Sequence, residues 1–334
     1  MNVTKAVKQL ASFALGIIVS WCCVRLASMR IQSDGLTSPQ LGVQKEHVLS
    51  QEVTVMTEVH IDFTNPDIKA IVNRQEKAFR SPNASQVYLV VLIKSFAKNK
   101  LSRDALRTSW FIRDTKTYRP VPSKLIRQYF LVGDAEDEDT EQQLKQEQRE
   151  FVDIIRVPFS DNYDFLAPKV FYGLQYAAQH LEFEYALVAD QDTLVNWQTL
   201  LPWMASHPRR NLYAGKLVKD RPVNRDPAAK FHVPKEIYAP AKYPPVAAGF
   251  GYLMSSDVVH GLLSAMEKHA LVGEDDAMVG VIASSLGVQV TDVGAFQVHG
   301  ACTVKFPMVL AGVSGSGQMT SLHQKGLQRL AVCG

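Results

Sequence analysis

At 334 residues the chain can form one large domain or two small ones with a proper core. Hydrophobic residues make up 46% and charged residues 21%, an ordinary globular balance. A net charge of +3, with no Lys/Arg block interleaved with aromatics, speaks against a nucleic-acid binder.

The N-terminus carries an uncharged run from Gln9 to Val24 that includes Leu10, Phe13, Leu15, Ile17, Ile18, Val19 and Trp21. Lys5 and Lys8 precede it, and Arg25 and Arg30 follow. About 20 apolar residues span an average bilayer, so the run is slightly short, but flanking cations snorkel and thin secretory membranes accept shorter spans. A cleaved signal peptide ending near Ala27-Ser28 is the competing reading; Trp21 and Arg25 make a poor cleavage region. The expectation is a cytoplasmic tail over 1–8, a single-pass signal anchor over 9–27 and a lumenal body, the type II arrangement. Palmitoylation of Cys22 and Cys23 is a further option beside a plain membrane-buried role.

Residues 28–85 lack sustained periodicity and contain Ser-Pro and Asn-Pro breaks, which reads as a stem with a short helix near 68–79. Asn83-Ala84-Ser85 is a glycosylation sequon at its end, whereas Asn2-Val3-Thr4 would lie in the cytoplasm.

From residue 86 onward strands and helices alternate. Residues 87–93 form a continuous apolar run rich in β-branched residues, the pattern of a strand buried on both faces. A helix is expected over 102–112 and a strand over 129–133. The acidic run 134–141 reads as a solvated loop or helix start, leading into a polar helix over 140–150. A strand over 151–159, a helix over 168–180 opened by Pro168, and a strand over 185–189 follow. Such alternation predicts a mostly parallel sheet with helices on both faces and a ligand site beyond the carboxyl ends of the strands.

The last of these strands runs into Asp190-Gln191-Asp192. Two carboxylates on a strand-to-loop turn suit Mn²⁺ or Mg²⁺ bridging to phosphates, although an isolated Asp-x-Asp also caps turns. Gly273-Glu274-Asp275-Asp276 precedes an apolar helix-like run over 277–286. It reads either as helix capping or as the source of a general base. Between them, Tyr243-Pro244-Pro245 leads through Gly249-Phe250-Gly251-Tyr252, either a tight turn into a strand or a place where backbone approaches a sugar.

The ordered set Ser102-Arg103-Asp104-Ala105-Leu106-Arg107-Thr108-Ser109-Trp110, Asp161-Asn162-Tyr163, Lys169, Asp190-Gln191-Asp192, Tyr243-Pro244-Pro245 and Asp275-Asp276 before Gly280 resembles the β-1,3-galactosyltransferase family, glycosyltransferase family 31. The resemblance covers the chain from about Val87 onward and rests on order and spacing rather than on any single motif. It implies a GT-A fold over 86–334, a UDP-sugar donor, Mn²⁺, inversion at the anomeric carbon and a glycan or glycoprotein acceptor in the Golgi. A homodimer is left open.

By the same resemblance Asp192 binds the metal, Asp190 sits near the ribose or in the metal shell, and His323 completes the shell, with His299 as the fallback. Asp276 matches the catalytic base and Asp275 its neighbour; Glu274 is the match if one residue is inserted. Arg103 and Arg107 match arginines suited to a diphosphate, Lys169 joins the donor-binding set, and Trp110 packs. Gln191 stands where the family has a third acid, and Asp275-Asp276-Ala277 where it has Glu-Asp-Val. The first expectation is transfer of galactose from UDP-galactose. UDP-N-acetylglucosamine on the same scaffold, or a catalytically inactive glycan-binding relative, are the alternatives. Cys302 and Cys333 could bridge in an oxidising compartment or remain buried thiols.

Overall fold

The computed structural model describes residues 87–111, 125–161, 163–269, 273–328 and 330–332. The expected tail, anchor, stem, sequon and Cys333 lie outside the described residues. Among the described residues no helix is long and apolar enough to cross a membrane.

The β-branched run becomes β1 (Val87–Lys94), buried along its whole length. It lies between β2 (Leu125–Asp134) and β4 (Phe183–Asp190), parallel to both. With β3 (Ile154–Ser160), β6 (Tyr213–Val218), β7 (Val246–Ser255) and β8 (Val290–Asp292) it builds a seven-stranded sheet in the order β3-β2-β1-β4-β7-β6-β8. Only β7 runs against the rest. The sheet is mostly parallel, as the alternation predicts.

Helices cover both faces. On the side of α1 (Lys100–Thr108), Trp110 is buried against Trp197 at the start of α4 (Trp197–Ala205), whose indole N–H donates to the Trp110 carbonyl at 2.7 Å. α1 also packs against α7 (Gly315–Leu327). Elsewhere α3 (Leu166–His180), α5 (Ser256–Ala265) and α6 (Asp275–Ser285) pack together. Helix α6 comes close to β7 because Gly280 has no side chain; a Cβ there would sit 2.3 Å from Val246 Cγ1. A short sheet, β5 (Leu194–Val195), β10 (Val309–Ala311) and β9 (Phe296–Val298), closes the end of the core nearest Asp192.

Boundaries shift locally. The polar helix α2 (Glu138–Glu150) starts inside the acidic run, because the Asp137 carboxylate accepts from the Thr140 N–H at 2.8 Å and caps it. Pro168 sits in the first turn of α3, where a missing N–H leaves no gap in the helical ladder.

Strand order reverses between β1 and β4: from β1 the chain builds outward to β2 and β3, and from β4 to β7, β6 and β8. Connections leaving two such strands diverge and open a crevice at their carboxyl ends. Lys94 and Asp190 face each other there, in register.

Candidate active site

The crevice floor is built on a residue that sequence reasoning passed over. Lys94, the last residue of β1, places its Nζ 3.0 Å from both carboxylate oxygens of Asp275 and 3.0 Å from Asp190 Oδ1. It also donates to the Gly249 carbonyl at 2.8 Å. Burial opposes a charge at this place, but the carboxylates of Asp190 and Asp275 outweigh it and hold the ammonium above the ordinary lysine range. Tyr252 on β7 donates its hydroxyl to Asp275 at 2.8 Å, and burial together with that carboxylate raises the phenol well above its ordinary value. Asp275 is therefore enclosed by Lys94 and Tyr252, in a position to hold the floor together rather than to meet a substrate.

Asp276, one residue on, has different surroundings. Its Oδ2 accepts from the Gly249 N–H at 3.0 Å and from Arg221 Nη1 at 2.9 Å, and its Oδ1 accepts from the Ala277 N–H at 2.8 Å. Gly249 eases this approach, since a Cβ there would lie 3.2 Å from the Asp276 carboxylate carbon and press it back by a few tenths of an ångström. Glu274, the other match to the base, is ion-paired with Arg221 Nη2. Helix capping and site chemistry are not exclusive here, because acids in the first turn of α6 also complement the helix dipole.

The strand-end motif divides in the same way. Asp190 is held by Lys94, and Gln191 accepts from the Ser95 hydroxyl at 2.8 Å. Asp192 is the exposed residue of the three. Partial burial of its carboxyl, and then the Asp190 charge, raise it above the ordinary aspartate range, while the Gly312 N–H pulls the other way. The Val313 N–H donates to the Asp192 carbonyl at 2.9 Å.

Register in the small sheet puts Asp192, Gly312 and His299 in neighbouring positions, since Leu310 pairs with Leu194, Ala311 with Val298, and the His299 N–H donates to the Ala311 carbonyl at 2.8 Å. His323 lies elsewhere. It lines a small cleft with Leu194, Asn196 and Trp197, where burial lowers its imidazole below the ordinary histidine range. Among the described residues no three His, Cys, Asp or Glu side chains converge as a complete metal cage. The donor set still fits a hard divalent ion: Asp192 offers an oxygen ligand at an open turn, and such ions take one or two carboxylates and complete their shell with substrate phosphates and water.

Arg103, Arg107 and Lys169 depart from the expected donor contacts. Arg103 is fully buried, with Nε and Nη2 on Glu147 at 2.8 and 2.5 Å, and further bonds to Ser95 Oγ and the carbonyls of Phe96 and Ala97. Arg107 pairs with Glu147, Asp153 and Asp104. Lys169 is buried between the Ser95 carbonyl, at 2.9 Å, and Asp161, whose other oxygen accepts from the Ala97 N–H at 2.7 Å. Arg103 and Lys169 hold the 95–97 loop, and Arg107 ties α1 to Glu147 and Asp153. Arg103 and Arg107 carry guanidinium groups suited to a diphosphate, but this i, i+4 pair faces inward.

An acidic crevice at the strand-order switch of a mostly parallel sheet is the place where ligands of such folds bind. The Galactosyltransferase family model matches residues 101–294, more than half of the chain, and the chain belongs to that family. It is 29% identical to mouse beta-1,3-galactosyltransferase 1 over 205 residues, covering 60% of this chain and 61% of the relative. It is 28% identical over 241 residues to rat UDP-GlcNAc:betaGal beta-1,3-N-acetylglucosaminyltransferase 7, covering 70% and 59%. The chain thus spans about three-fifths of the length of these curated relatives. Among solved structures, the galactosyltransferase LgtC in complex with donor and acceptor sugar analogues matches at 12% identity and a TM-score of 0.38, covering 71% of this chain and 95% of that one.

Proposed function

We propose that the chain is an inverting β-1,3-hexosyltransferase that moves galactose from UDP-galactose to a hydroxyl of a glycan acceptor. One observation carries this reading. Lys94 ties Asp190, two residues before Asp192, to Asp275, one residue before Asp276, so the strand-end acid and the helix-start acid are fixed to one crevice.

In this reading Asp276 takes the proton from the acceptor hydroxyl as that oxygen bonds to the anomeric carbon. The bond from that carbon to the UDP oxygen breaks on the opposite side, and its electron pair leaves with UDP. Asp192 would hold Mn²⁺, with His299 as the neighbouring imidazole in place of His323; the ion supplies neutralisation of the diphosphate charge. Asp275 stays in the floor. A UDP-N-acetylglucosamine donor is the second reading, favoured by the similarity to the rat N-acetylglucosaminyltransferase.

Placement in the Golgi as a type II membrane protein belongs to the same proposal. The uncharged run at 9–24 and the sequon at Asn83 support it. The disulfide at Cys302 agrees with an oxidising compartment.

The test is UDP release by the full-length protein in detergent, with UDP-galactose and UDP-N-acetylglucosamine, β-galactoside and β-xyloside acceptors, and Mn²⁺ or a chelator. Mn²⁺-dependent release from one donor supports the transferase and names the sugar. Silence together with no Mn²⁺-dependent UDP binding moves the reading to the inactive glycan-binding relative.

A further inference from the structure

Between β6 and β7 the chain makes a long excursion whose neck is pinned. The Tyr243 N–H donates to the Arg221 carbonyl at 2.9 Å, and the Val223 N–H to the Ala241 carbonyl at 3.0 Å. Within the loop, Arg225 donates to the carbonyls of Val233, Tyr238 and Pro240 at 2.6 to 2.7 Å, so the excursion is tied internally as well. Arg221 leaves this neck with its guanidinium carbon 5.5 Å from the Tyr243 ring centroid. Backbone pairing and ring together fix where its fork lies.

That fork meets the acids at the start of α6. Four carboxylates crowd this part of the crevice, and two cations divide them: Lys94 serves Asp190 and Asp275, and Arg221 serves Glu274 and Asp276. A lysine has one ammonium and could not reproduce the planar two-pronged contact that Arg221 makes.

The contact also distinguishes the two oxygens of Asp276. A carboxylate oxygen accepts about two hydrogen bonds along its lone pairs. Oδ2 already has two, from Arg221 Nη1 at 2.9 Å and the Gly249 N–H at 3.0 Å. Among the described residues Oδ1 has one, from the Ala277 N–H at 2.8 Å, which leaves it a second position.

We propose that Arg221 is the positioning residue of the base: it fixes the Asp276 carboxylate so that Oδ1 receives the acceptor proton, and it links the 222–242 loop to that carboxylate. This rests on the reading of Asp276 as base. Arg221 does not exchange a proton in the step; the acceptor oxygen loses its proton to Oδ1 while the departing electron pair goes to UDP.

The experiment uses full-length protein with Mn²⁺ and UDP-galactose or UDP-N-acetylglucosamine. Arg221→Ala is expected to lower kcat by about 10- to 100-fold with the donor KM within about twofold, since a general base supplies about 10²- to 10⁴-fold. Added guanidinium at low millimolar concentration restores part of the loss in Arg221→Ala and none in Arg221→Lys, which falls between. Unchanged kcat, or a raised donor KM at constant kcat, overturns the proposal. A purely structural bridge would give no guanidinium rescue of kcat. Should Arg221→Ala fail to fold, thermal midpoints of Arg221→Gln, Asp276→Asn and the double variant decide whether the clamp exists. Non-additive shifts support it, and additive shifts sink it. Wild-type silence with both donors ends the functional reading and the positioning role together, whereas the midpoint cycle still reports on the clamp by itself.

Discussion

Lys94 and Asp275 form a buried pair in which one ammonium reaches both oxygens of the carboxylate at 3.0 Å, although the residues are 181 positions apart. The pair joins the end of the central strand β1 to the start of α6, and Asp190 shares the same ammonium. Replacing Lys94 by Met leaves Asp275 buried without its cation. The expected cost is about 3–5 kcal/mol of unfolding free energy, a fall of roughly 10 °C in thermal midpoint. Differential scanning calorimetry of Lys94→Met checks it; a midpoint within 2 °C of wild type, on the order of the shift for a single kcal/mol, would contradict the pairing.

A second buried ion group sets a pH limit on stability. Burial alone would raise the Glu147 carboxyl, but Arg103 and Arg107 outweigh it and hold it below its ordinary 4.5. A depressed folded-state value stabilises the fold fully above the unfolded value and is lost as pH falls through the folded one. Glu147→Gln is therefore expected to be less stable than wild type at pH 6, with the gap closing as pH falls below the ordinary glutamate value of 4.5. Urea midpoints at a series of pH values measure this, and a gap that stays constant with pH contradicts it.

Metal dependence separates the two halves of the strand-end motif. Chelation is expected to remove turnover and Mn²⁺ to restore it. Asp192→Asn is expected to abolish that stimulation while the protein stays folded, because Asp192 is exposed and makes no ion pair among the described residues. His299→Ala should weaken Mn²⁺ affinity by about 10-fold or more, and His323→Ala should leave it within about twofold. Mn²⁺ titrations of UDP release give the answer; loss of affinity at His323 alone would return that residue to the metal shell.

The sheet was legible wherever its strands are long and covered on both faces. Residues 87–93 and 185–189 consist almost wholly of buried apolar side chains, and such a run can hardly be anything else next to helical segments. β5, β9 and β10 were not legible, because strands of two or three residues have no period to detect. Lys94 went unnoticed at the end of its apolar run; the available signal was a lone cation closing a strand in a fold whose next strand ends in acids. Arg221 gave no signal at all, since it sits in a polar loop and meets Asp276 only through the pairing of Tyr243 with the loop neck. Arg103 and Arg107 look available for a diphosphate in sequence, because sequence shows spacing and not which helix face turns inward.

Gly249 offers a local test of the geometry around the base. Its backbone needs no left-handed conformation, so alanine is allowed there, but the added Cβ would lie 3.2 Å from the Asp276 carboxylate carbon and Oδ2. Gly249→Ala is expected to fold with a loss of about 1 kcal/mol or less and to lower kcat by about 10-fold or more, since small displacements of a reacting group are costly. Paired stability and rate measurements test this; full activity would show that Asp276 tolerates displacement.

The most direct measurement compares UDP release by wild type, Asp276→Asn and Asp275→Asn at saturating donor, acceptor and Mn²⁺. Asp276→Asn is expected to lose at least about 100-fold in kcat while still folding, its midpoint falling only by what the Arg221 contact contributes, whereas Asp275→Asn loses more stability at the buried Lys94 pair. An Asp276→Asn protein that still transfers sugar at a wild-type rate would contradict its assignment as the base.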